Sequence, residues 1–124
     1  MKSVAPVPGR PVRGSSTGRP IMAALDLFGR RGALRLLWEL RGEGTLTFRA
    51  LAAAADLPPA TLNVRLKELR EAGLVSADDG YGLTPLARDL LEALTPLIDW
   101  SERWAAAATH LCHPGFRAAE DRDP

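Results

Sequence analysis

The four residues Asp56, Leu57, Pro58 and Pro59 constrain this chain more than any others, because they separate two helix-forming runs by a connection with room only for a tight turn. Ahead of them, Thr47 is placed to cap a helix from Phe48 to about Ala55, with Leu51 facing inward. Behind them a second helix starts at Pro59, since the first helical turn is where a missing N–H costs nothing. Leu62, Leu66 and Leu69 fall four and three residues apart and form its buried stripe, and Gly73 closes it.

Helical periodicity extends upstream. Pro20 to Phe28 puts Ile21, Ala24, Leu25 and Phe28 on one face and ends at Gly29. Ala33, Leu34, Leu36, Leu37 and Leu40 stripe a further helix that stops at Gly42 and Gly44. After Gly73 the period changes to that of two short strands, residues 74–76 and 81–83, about an Asp-Gly turn. Thr84 and Pro85 then open a long helix through Leu86, Leu90, Leu91, Leu94, Leu97, Ile98, Trp100 and Trp104, which Pro96 should kink or restart. The order predicts a mainly α fold with a small β-hairpin wing, a winged helix-turn-helix.

At 124 residues and 46% apolar content the chain suffices for one domain. Its longest apolar runs, 50–55 and 104–108, fall far short of the roughly 20 residues that cross a bilayer. Residues 1–19 are rich in Pro, Gly and Ser without a period and read as a flexible basic arm; residues 20–108 form the winged domain with its C-terminal dimerisation helix, and 109–124 a tail. No apolar signal segment follows Met1, and the single Cys112 has no internal disulfide partner, so the expected location is the cytoplasm.

Net charge is only +1, but it is unevenly spread. Residues 1–71 carry 12 Lys or Arg against 6 acids and residues 72–124 carry 4 against 9, which makes the first half the candidate nucleic-acid face. On the helix from Pro59, the side opposite the leucine stripe presents Ala60, Asn63, Val64, Lys67 and Glu71. In a major groove Val64 would pack on a thymine methyl and Asn63 would pair with adenine. Thr61 and Lys67 would reach bases or phosphates from the flanks, and Arg49 would meet the backbone. The candidate DNA-binding residues are therefore Thr47, Arg49, Ala60, Thr61, Asn63, Val64, Arg65 and Lys67. The hairpin tip carries Asp78 and Asp79, which phosphate repels, so the wing should brace the core, with Arg70 and Tyr81 its polar contacts.

With its elements in this order, the stretch from Ala24 to Trp104 resembles the HxlR-type winged-helix regulators of bacteria. LDLFGRRGALRLLWEL (25–40) is similar to that family's opening, with Gly29 and Arg31 at its glycine and basic positions and Glu39 and Leu40 at its closing pair. Phe48 and Leu51 match the third helix, PPATLNVRLKELREAGLV (58–75) the recognition helix and first strand, and YGLTPLA (81–87) the junction into the last helix. The resemblance implies a homodimeric transcriptional repressor or activator. The chain departs from the family in carrying Gly32 where Trp is usual and Ala87 where Gly is usual, and in having a shorter hairpin and no cysteine near the N-terminus, which points away from a thiol switch.

The long helix displays an apolar arc wider than one domain face requires, so a second copy is expected against it, with Leu27, Phe28, Leu91, Leu94, Ile98, Trp100 and Trp104 at the interface. Two recognition helices about 34 Å apart would then demand an inverted-repeat operator in double-stranded DNA. A pocket expected between the first and the long helix would admit a small apolar effector, which no residue names. His110, Cys112 and His113 are metal-ligand types, but three within four residues seldom converge on one ion, and no metal or cofactor is expected. Cys112 as a nucleophile has no strand-borne acid or oxyanion donor pair to accompany it, and no phosphate-cradling glycine loop or paired carboxylates at enzyme-like spacing appear, so an enzyme is not expected. The alternative is a winged-helix dimerisation or protein-docking module without DNA binding, a choice that fold alone does not make.

Overall fold

The structure, a computed structural model, describes residues 5–111, with His110 and Leu111 described by their backbone alone. Five helices and one hairpin follow in order: α1 (Pro20–Phe28), α2 (Ala33–Glu39), α3 (Phe48–Ala55), α4 (Pro59–Glu71), β1 (Val75–Ser76), β2 (Gly82–Leu83) and α5 (Pro85–Leu111). The chain divides into two compact units between Leu91 and Glu92. In the first, Leu36, Leu37, Leu51, Leu62 and Leu69 have no solvent exposure, so α2, α3 and α4 each contribute leucines to one core. Fully burying each such side chain contributes about 2 kcal/mol.

Local chemistry sets the ends of the elements. Thr47 caps α3, its Oγ1 accepting a 3.1 Å hydrogen bond from the Ala50 N–H. Asp56 ends α3 in the left-handed conformation, φ 54°, and three residues later α4 begins with Pro59 in its first turn. Thr84 joins the hairpin to α5: its hydroxyl donates to the Gly73 carbonyl at 2.7 Å and accepts from the Ala87 N–H at 3.2 Å. Pro96 lies inside α5, which continues through it.

The strands are antiparallel with Val75 opposite Leu83 and Ser76 opposite Gly82. Leu46 pairs with Tyr81 on the outer side, adding a rung that sequence periodicity does not announce. The turn runs through Asp79 (φ 56°) and Gly80 (φ 101°), and Thr45 Oγ1 donates to the Asp79 carbonyl at 2.8 Å. The wing is therefore short and fastened to the segment ahead of α3. Helices enclosing a leucine core, with a helix-turn-helix in the middle and this hairpin after it, make the fold a winged helix-turn-helix.

Two regions show what periodicity does not. On α1 the buried residues are Ala23 and Leu27, while Ile21 and Leu25 are 59% and 55% exposed. Apolar residues occupy both sides of this helix, so their period does not choose the buried one; Asp26, on its flank, meets Arg30 and the Arg13 N–H. Residues 5–19, read as a periodless arm, form a closed turn in which Val12 bridges Ser15, Gly9 N–H bonds the Gly18 carbonyl, and Ala5 is buried. Gly9, Gly14 and Gly18, all at positive φ, make this turn without any periodic pattern.

Candidate nucleic-acid interface

Helix α4 has two unlike faces. Leu62, Leu66 and Leu69 are buried, whereas Ala60, Asn63, Val64, Lys67 and Glu71 are exposed, as the leucine spacing predicts. Thr61 is half-buried. Val64, at 36% exposure, is an apolar side chain that the core does not use. Asn63, Val64 and Lys67 line a cleft with Leu66, Arg70 and Tyr81, so the wing's tyrosine stands beside the exposed face of the helix. The Tyr81 ring packs against Phe48 of α3 at 6.5 Å between centroids.

Charge is arranged to suit an anionic surface on one side only. Arg49, Lys67 and Arg70 are exposed and form no ion pair among the described residues. Beyond Lys67 and Arg70 the sign reverses, since Glu71 and Asp78 line the adjoining cleft toward the wing tip. A polyanion seated on α3 and α4 would meet cations from Arg49 to Arg70 and be turned away from the wing tip.

Two of the candidate residues have structural duties. Thr47 is exposed but its hydroxyl caps α3. Arg65 turns inward: its Nη1 donates to Glu68 Oε1 at 2.7 Å and its Nε to the Arg31 carbonyl at 2.8 Å. Glu68 is fully buried and also receives Arg30 Nη1 at 2.6 Å. Sequence reasoning missed Glu68 and Arg30 because an acid in a helix normally marks a solvated face; only the Arg65–Glu68 spacing of three residues hinted at the pair.

The expected dimer residues separate likewise. Leu27 is 5% exposed and belongs to the core, which corrects its assignment to an interface; Phe28 and Leu91 pack against that core while half-buried. In the second unit Leu94 is half-buried, and Ile98, Trp100 and Trp104 are exposed. Trp100 and Trp104 stack with centroids 5.7 Å apart and planes 7° apart. Among the described residues no cluster of metal-ligating side chains occurs, and no helix is long and apolar enough to cross a membrane. Cys112 and His113 lie outside the described residues.

Comparison with known proteins agrees with the helix-turn-helix fold. Residues 33–76, which run from α2 into β1, match the model of a helix-turn-helix domain family, so the chain carries a helix-turn-helix domain. It is 36% identical over 99 residues to a protein of Mycobacterium bovis described as an uncharacterised HTH-type transcriptional regulator, and equally to two so described from strains of Mycobacterium tuberculosis. Each match covers 73% of this chain and 60% of the relative, so the chain spans less than two thirds of these proteins' length. No solved structure matches.

Proposed function

We propose that the chain is a sequence-specific, double-stranded DNA-binding transcriptional regulator, with α4 lying in the major groove. The observation that carries this reading is the exposed row Ala60, Asn63, Val64 and Lys67 on a helix whose opposite side is buried leucine. Asn63 would read adenine, Val64 a thymine methyl, and Lys67 and Arg49 would hold phosphate. Thr61 would assist from its half-buried flank, and Thr47 would act by presenting the N-terminus of α3. The description of the mycobacterial relatives as transcriptional regulators supports the same reading. So does the resemblance to HxlR-type regulators, carried by residues 25–40 and 58–75.

The working form in this proposal is a homodimer on an inverted repeat. Its interface would be carried by Leu94, Ile98, Trp100 and Trp104 on α5. Residues 20–108 would be the domain, preceded by a basic segment and followed by a tail, and the reading extends to a small apolar effector and a cytoplasmic setting.

The test is a mobility-shift titration on the region upstream of the chain's own gene. Binding should reach nanomolar levels and fall steeply with salt. Binding indifferent to both sequence and salt would refute the regulator reading in favour of a docking module.

A further inference from the structure

Charge as well as leucine holds α4 in place. Asp26, Arg30, Glu68 and Arg65 alternate in sign along one chain of contacts, at 3.5, 2.6 and 2.7 Å, and sum to no net charge. Their side chains are 7%, 26%, 0% and 18% exposed. A carboxylate withdrawn from water is tolerated when it is matched, and here each Glu68 oxygen has its own guanidinium. Arg65 adds a bond to the Arg31 carbonyl, so α4 is tied twice to the α1–α2 loop, residues 29–32. At 100° per residue Glu68 and Arg65 fall on the flank of α4, between its leucine stripe and the face bearing Asn63 and Val64. Apolar burial is non-directional and leaves a helix some freedom to roll on its stripe. Hydrogen bonds from the flank to a fixed loop remove that freedom.

We propose that Glu68 is a positioning residue and Arg65 its strut, not a phosphate contact: the Arg30–Glu68–Arg65 bridge sets the roll of α4 and so the direction in which Asn63 and Val64 point. This rests on α4 being the groove-facing helix. The consequence is unusual for a cation on a recognition helix, since its removal should degrade sequence discrimination while leaving the electrostatic part of binding intact.

The experiment measures binding of the purified full chain to its upstream duplex and to a scrambled duplex by fluorescence anisotropy over a salt series. Parent, Arg65→Met, Arg65→Lys and Lys67→Ala are compared, well below each one's melting midpoint. Arg65→Met should lower the ratio of specific to scrambled affinity at least tenfold with the salt slope unchanged. Arg65→Lys keeps the charge but cannot span both Glu68 and the Arg31 carbonyl, so it should remain defective; it also serves where the Met variant does not fold. A salt slope reduced by about one phosphate, roughly 0.9, with full rescue by Lys would make Arg65 a DNA contact and overturn the proposal. A lower melting temperature with the affinity ratio unchanged would also overturn it, leaving Arg65 merely structural. A parent that does not discriminate the two duplexes, with Lys67→Ala indistinguishable from it, would instead overturn the groove-facing reading and this role with it.

Discussion

Leu57, in the turn between α3 and α4, occupies the space where a side chain at Gly32 would begin: a Cβ built on Gly32 would lie 2.7 Å from Leu57 Cδ1. Gly32 has φ 84° and stands at the N-cap of α2. The turn of the helix-turn-helix is thus seated on the α1–α2 loop, the same loop that Arg65 and Glu68 grip from α4.

Gly32→Ala should therefore destabilise the fold, through a left-handed backbone that alanine resists and through contact with Leu57. The expected loss is about 1–3 kcal/mol in urea-unfolding free energy. Unchanged stability would mean that the loop yields and does not seat the turn.

Thr47→Ala removes the side-chain acceptor of the Ala50 N–H and should cost about 1 kcal/mol of stability, with Thr47→Ser restoring most of it. Thermal unfolding followed by circular dichroism reads both. Equal stability of the three proteins would show that solvent satisfies that N–H as well as the hydroxyl does.

Asn63→Ala and Lys67→Ala should fail in different ways. The first should relax preference at one base pair by about 1–3 kcal/mol; the second should weaken all sequences alike and flatten the salt dependence. Anisotropy titrations against single-base operator variants separate the two. Small, equal effects would place the contact surface on another side of α4.

Replacing Trp100 and Trp104 together by alanine should convert the proposed dimer to single chains in sedimentation velocity, because the pair, 48% and 59% exposed, is the largest aromatic surface left open on α5. A variant that keeps the parent's mass would move the interface elsewhere.

Much of this was legible in the sequence because local chemistry decides it. Pro20 and Pro59 mark helix starts by their missing N–H, Thr47 and Thr84 by their capping hydroxyls, and the spacing of Leu62, Leu66 and Leu69 fixes which side of α4 turns outward. What was not legible depends on partners distant in sequence. Glu68 is buried because Arg30, 38 positions away, neutralises it. Asp26 is withdrawn from solvent on the flank of α1 because the Arg13 N–H, 13 positions away, meets its carboxylate alongside Arg30. The closed turn of residues 5–19 depends on glycine backbone freedom and on that same Asp26, neither of which has a period. Leu46 joins the wing by a single bridge to Tyr81, too short a pairing to leave an alternating pattern.

The most direct measurement is backbone amide NMR of the full chain titrated with a duplex from its upstream region. The account predicts that the shifts concentrate on Arg49 and on Ala60, Asn63, Val64 and Lys67, with the wing tip at Asp78 and Asp79 little changed. Shifts confined to α5, or none at saturating duplex, would contradict it.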